Sequence, residues 1–282
     1  MRVWTTQPKR RFVSGRGYGL GHAWTTFGLG GDGPGAIAVH DAGPLRANGL
    51  FGTGSPSTAT GNTNHLTPYG YAVHFDDSGT GTSASKRIDV GNSSGSGAPR
   101  GSVFSFIAFV SFGATGTQYI YSTNSANGGA RWQLNASTQL NLVKPGTADM
   151  GSGSTSLSAN KFYVVGTTYD GSTIRFYVNG NADGTSSNTQ TFTHGQASIG
   201  DQTAPGYLSN GSDLMALLQF DVALSAVEMR AYSDNIWRIF QRREPLYVNT
   251  VGAPAVSARP LFIVPSNLSG VGTGGPFFQD RL

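Results

Sequence analysis

The chain of 282 residues contains two glutamates, Glu228 and Glu244, and their surroundings decide what acid–base chemistry it can perform. Hydrolysis of a glycosidic bond needs two carboxylates facing one another across the bond, one acting as acid and the other as base or nucleophile. Glu228 stands three residues after Ser225, the spacing of a helix capping box, in which its carboxylate is turned back on the backbone. Glu244 precedes Pro245 in a proline-rich stretch. The aspartates are scattered singly except for Asp76 and Asp77, so no carboxylate pair is apparent and the chain is expected not to be an enzyme. Asp76 and Asp77 are the candidates for a metal, with Ca²⁺ the ion that suits hard oxygen donors. A solvated turn is favoured for them, because Ca²⁺ takes six or more oxygens and no further acids cluster nearby. The five histidines, His22, His40, His65, His74 and His194, show no metal-ligand spacing. There is no cysteine, which excludes disulfides and thiolate ligands.

Two motif matches carry no chemistry. Gly28-Leu29-Gly30-Gly31-Asp32-Gly33 has dinucleotide-fingerprint spacing, but no strand leads in and no helix leads out. Gly91-Asn92-Ser93-Ser94-Gly95 fits a nucleophile elbow, yet Gly97 and Pro99 stand where its helix must begin. Chance matches are expected in a chain with 41 glycines. A sugar site needs an aromatic platform with amide partners, and Trp132 is the candidate, with Tyr119, Tyr121 and Tyr207 also available. Against it stands the ordinary packing of aromatic side chains at strand spacing.

Charge is divided unevenly. Residues 1 to 16 hold Arg2, Lys9, Arg10, Arg11 and Arg16 with no acid; residues 17 to 229 hold 8 basic and 12 acidic side chains, and the remainder 6 and 3. The formal charge of +4 therefore belongs to the two ends. A basic tip beside Phe12 and Tyr18 can contact nucleic acid, but one short cluster gives few phosphate contacts, so an arm lying on an acidic protein surface is the favoured reading. No run approaches the roughly 18 apolar residues of a membrane span. No apolar leader core follows Met1, so the expectation is synthesis in a cytoplasm and no membrane partner.

The elements that must position any site read as β structure. In the segment 104 to 112, Phe104, Phe106, Ala108, Val110 and Phe112 share one face while Ile107 and Phe109 lie on the other, so this strand is central. Trp132, Leu134, Leu140 and Leu142 alternate across a hairpin. Asp170-Gly171 and Asn179-Gly180 are turn dipeptides. Residues 1 to 69 read as an extended N-terminal arm with two or three short strands, 70 to 244 as the sandwich, and 245 to 282 as a C-terminal strap. In the strap, prolines break apolar fragments containing Phe262, Ile263, Phe277 and Phe278.

Several of these segments carry a resemblance. Tyr71 to Asp76 with Arg87 to Val90, Phe104 to Val110, the hairpin Lys161 to Gly180, and the step from Leu224-Ser225 to Glu228 resemble, in this order, a laminin-G-like domain of the concanavalin-A-like jelly rolls. The resemblance spans about residues 70 to 240. It implies an all-β two-sheet jelly-roll sandwich with one short helix near residues 226 to 240. The family's glucan hydrolases set two Glu and an Asp on one strand, which this chain lacks. Jelly rolls with the same Leu-Ser-x-x-Glu helix, an Asn-hydrophobe-Trp step and an Arg-rich strap resemble virion proteins of tailed bacteriophages. That likeness implies a capsid-decorating or fibre-like structural component, homo-oligomeric, located on the virion and attached through its terminal arms to capsid or tail proteins. The alternative function is a glycan-binding domain for host attachment. A glycoside hydrolase is the third and is disfavoured.

Overall fold

The computed structural model describes residues 20–25, 37–41, 49–51, 62–75, 87–90, 97–124, 128–200, 208 and 211–236. In chain order the strands begin with β1 (Leu20–Thr25), β2 (Ile37–Asp41), β3 (Gly49–Phe51), β4 (Asn62–Thr67), β5 (Gly70–Phe75) and β6 (Arg87–Val90). They continue with β7 (Phe104–Ser111), β8 (Gln118–Asn124), β9 (Arg131–Leu134), β10 (Leu140–Lys144) and β11 (Ala148–Ser152). The last are β12 (Phe162–Tyr169), β13 (Thr173–Val178), β14 (Asn181–Ser187), β15 (Gln196–Gly200) and β16 (Ser212–Phe220), followed by helix α1 (Ala226–Asp234).

All strand pairs are antiparallel and form two sheets. The first runs β1-β16-β7-β12-β13-β14, with the β4–β5 hairpin attached to β16 through β5. The second runs β11-β10-β9-β8-β15-β6-β3. Strand β2 belongs to both: Trp24 pairs with Asp41 on the β1 side, and Ile37 pairs with Leu50 on the β3 side. The hydrogen-bonded path is thus continuous although the molecule has two facing layers, with β2 crossing at a shared corner.

The pleat sends Phe104, Phe106, Ala108, Val110 and Phe112 into the core between the sheets, where they meet Trp132, Leu134, Leu140 and Leu142 from the opposite layer. Ile107 and Phe109 point the other way, into a second apolar layer with Met215, Leu218 and Phe220. As the sequence requires, β7 lies between β16 and β12, buried along its whole length. Helix α1 covers that second layer with Met229. Its start has the predicted chemistry: the Glu228 backbone N–H donates to Ser225 Oγ at 3.3 Å, and Glu228 Oε2 accepts from the Ser225 N–H at 2.8 Å. The helix ends at Asp234, short of 240; residues 237–240 lie outside the described residues.

The hairpin turns behave as their dipeptides dictate. Gly171 has φ +95°, and Asn179 and Gly180 have φ +50° and +76°, the left-handed pair of a two-residue turn. Residues 20–25, 37–41, 49–51 and 62–67 are the described part of the N-terminal segment. They supply β1 to β4, and β1 lies inside the first sheet between β2 and β16, with Trp24 fully buried. Strands this short carry too few alternating apolar positions to declare themselves. Their edges are supplied by β16 and β6, which are distant in sequence.

Candidate functional site

Because Trp132 and Leu134 of β9 and Leu140 and Leu142 of β10 point into the core, Arg131, Gln133, Asn141 and Val143 face outward. Register then lines up two cross-strand rows. One runs Tyr119, Gln133, Asn141, Ser152, and the other Ser122, Arg131, Val143, Asp149. A bulge in β8 between Tyr119 and Tyr121 sets these two tyrosines on opposite faces, although two residues in a regular strand would share one. Tyr121 sits in the core, whereas Tyr119 meets Arg131 outside.

Hydrogen bonds hold the rows in place. The Asn141 amide donates to Asp149 Oδ1 at 2.6 Å, to the Gly151 carbonyl at 2.9 Å and to Ser152 Oγ at 3.0 Å. A carboxylate accepts only, so Asn141 Nδ2 is oriented toward Asp149 and Asn141 Oδ1 toward Gln133. Gln133 Nε2 donates to that oxygen at 3.1 Å, leaving Gln133 Oε1 buried with no hydrogen-bond partner among the described residues. An orphaned buried acceptor costs about 1 to 3 kcal/mol, which a ligand donor would recover. Beside it the Arg131 guanidinium lies 4.5 Å from the Tyr119 ring centroid and donates to Tyr119 Oη at 3.0 Å. The stacked cation covers the ring, so Tyr119 is only 8% exposed.

Other polar groups are committed to structure. The Arg175 guanidinium, 2.7 Å from Asp170 Oδ2, leads the contacts that hold the Asp170 carboxyl well below the usual carboxylate range, together with turn hydrogen bonds from Ser172 and Thr173. His194 Nδ1 lies 2.9 Å from Thr123 Oγ1 and Nε2 lies 3.1 Å from the Gly101 carbonyl. A carbonyl only accepts, so Nε2 carries the proton and Nδ1 of the neutral ring takes the Thr123 hydroxyl. Burial lowers the His194 pKa. Burial, with Asp221 and Asp41 adding to it, raises that of Tyr121, whose hydroxyl donates to the Gly97 carbonyl. His74 Nδ1 lies 2.7 Å from Asp213 Oδ1 across β5 and β16. Glu228 is held by its cap.

Trp132 is not a sugar platform. Its indole is fully buried and stacks on Phe106 with ring centroids 5.7 Å apart. The choice by residue type overlooked the face: alternation with Leu134, Leu140 and Leu142 already puts Trp132 inside and Arg131 and Gln133 outside. Arg2, Lys9, Arg10, Arg11, Arg16, Phe262, Ile263, Phe277, Phe278, Asp76 and Asp77 all lie outside the described residues. Among the described residues, no group of three or more His, Cys, Asp or Glu side chains is placed to hold a metal. No described helix is long and apolar enough to cross a membrane.

Two facing antiparallel sheets, one sealed by a capped helix and the other presenting a polar outward face, define a jelly-roll sandwich. A model of the concanavalin A-like lectin/glucanases superfamily matches residues 80–228, more than half of the chain, and the chain belongs to that superfamily. No curated protein matches it. Among solved structures, the binding domain of Paraclostridial Mosquitocidal Protein 1 is similar with a TM-score of 0.58 and 12% identity, over 78% of this chain and 52% of that one. This chain thus spans about half the length of that domain. The heptameric SAP-like pentraxin of Limulus polyphemus matches with a TM-score of 0.37 and 20% identity, over 48% of this chain and 71% of that one. The sialidase CBM40 of Ruminococcus gnavus, solved with α2,3-sialyllactose, matches with a TM-score of 0.41 and 10% identity, over 47% of this chain and 83% of that one.

Proposed function

We infer that this protein is a non-catalytic glycan-binding sandwich whose ligand surface is the outward face of the second sheet around Arg131, Gln133 and Asn141. The observation that carries this reading is the buried, unpartnered Gln133 Oε1 set in an otherwise satisfied amide network. Sugars are recognised by such prearranged amide and guanidinium groups, since each hydroxyl both donates and accepts. The superfamily supports the reading at the level of fold, which does not by itself determine function. Hydrolysis is not part of the proposal, because Glu228 is committed to the helix cap. The test is a glycan array followed by titration of the hits against Gln133→Ala. Loss of binding by a variant that still unfolds cooperatively is expected; hits that bind the variant as well as the parent place the ligand elsewhere.

A second reading, favoured by the charge distribution, is structural: a virion component joined to capsid or tail proteins through its ends. Five basic residues and no acid in residues 1 to 16 suit an arm that orders against a partner's carboxylates. Deleting residues 1 to 16, or the chain after Thr250, should leave a soluble sandwich that no longer joins its assembly. Normal incorporation of the doubly truncated chain would remove this reading.

A further inference from the structure

We propose that the ligand of this surface is an acidic glycan, one carrying a carboxylate, and that Arg131 is the residue that selects it; the inference rests on the glycan-binding reading above. Arg131 is half-buried on the second sheet, and no carboxylate pairs with it among the described residues. Arg175 and Arg230 differ: Arg175 pairs with Asp170 at 2.7 Å, and Arg230 with Asp234 at 3.4 Å and Asn181 at 2.8 Å. Asp149 shares the row of Arg131, but Val143 stands between them and the Asp149 carboxylate already accepts from Asn141 and from the Gly151 N–H.

A guanidinium has five N–H donors in a planar fork, and Arg131 directs one nitrogen to Tyr119 Oη. With its carbon 4.5 Å from the Tyr119 ring centroid and one nitrogen bonded to Tyr119 Oη, the guanidinium is held in position, and its remaining donors suit a planar two-oxygen acceptor, which a carboxylate is and a hydroxyl is not. Two residues along β9, about 7 Å away, Gln133 Oε1 awaits a donor. Together they describe a ligand with an anionic acceptor at one end and a hydroxyl or N-acyl N–H at the other. A neutral sugar would satisfy the Gln133 acceptor and leave the Arg131 fork partly solvated.

The full-length chain is titrated calorimetrically with two matched pairs of probes: tetragalacturonate against its carboxyl-reduced form, and sialyllactose against lactose. At least one acidic probe should bind tenfold or more tighter than its neutral partner, about the ratio a charge-assisted hydrogen bond gives. Raising the salt concentration should weaken that preference only in part, because the cation is half-buried. Arg131→Gln should abolish the preference while still unfolding cooperatively. Gln133→Ala should weaken acidic and neutral probes alike. Equal affinity for acidic and neutral partners, or a preference that survives Arg131→Gln, overturns the acidic-ligand inference. If neutral binding then still depends on Gln133, the glycan-binding reading stands without it. Failure of all four probes to bind overturns both.

Discussion

The two sheets of this sandwich send opposite chemistry to their outward faces. On the first sheet, Ile107, Phe109, Met215, Leu218 and Phe220 face outward and are buried under α1 and its flanks, with Leu224, Met229 and Ile236 completing the layer. On the second, Gln133, Asn141 and Asp149 face outward and are linked by hydrogen bonds, with Arg131 bonded to Tyr119 beside them. Each strand pleats in the same way, so the difference is one of residue type at alternate positions. An apolar outward face must be covered to remove it from water, and here a helix does so. A polar outward face can instead satisfy its groups within itself, as the buried Gln133 and Asn141 do with Asp149. One outward face is therefore closed by apolar packing, and the other is held together by hydrogen bonds.

Phe109→Ala would break that comparison most directly. Phe109 faces outward yet is fully buried between Tyr69 and Phe162, with ring centroids at 5.6 and 5.3 Å, so its truncation should cost about 3 to 5 kcal/mol in chemical denaturation. A cost below about 1 kcal/mol would mean that the first sheet's outer layer is not a core. Ser225→Ala, which loosens the covering helix by removing its cap, should cost about 1 kcal/mol by the same measurement.

His194 sharpens the contrast at a third place, where a polar ring lies against Phe104 and Phe192 with centroids at 5.7 and 5.8 Å. Because burial lowers its pKa in the folded state, the unfolded chain binds the proton first as pH falls. Its contribution should be fully present above the ordinary histidine pKa and decline below it. His194→Gln should flatten that limb of the stability–pH curve, and an unaltered slope would show that the ring titrates normally. Smallest of all, Arg131→Gln should cost no more than about 1 kcal/mol, the worth of its Tyr119 contacts, since the side chain forms no ion pair among the described residues. A much larger loss would make Arg131 part of the framework and not of a recognition face.

Much of the framework was legible before any coordinates. Strand β7 read as central because both of its faces are apolar, and the β9–β10 hairpin followed from the alternation of Trp132, Leu134, Leu140 and Leu142. The turn at Asn179-Gly180 and the Ser225–Glu228 cap are local devices whose partners lie within a few residues. The candidate site was legible only in part: alternation alone places Arg131 and Gln133 on the face opposite Trp132, whereas residue type had drawn the choice to the tryptophan. Tyr119 could not be read in this way, because the bulge before Tyr121 inverts its face and no turn dipeptide announces it.

The sequence by itself determined what is local: the period of the strands, the conformations of the turns and the capped helix. Tertiary structure decided what depends on neighbours distant along the chain. It placed β1 beside β16, covered Phe109 with Tyr69 and Phe162, and brought Asp149, Asn141, Gln133 and Tyr119 into adjoining positions across four strands. The physical reason is that pleat and turn energies are set within a few residues, while register between strands is chosen by the packing of the whole core.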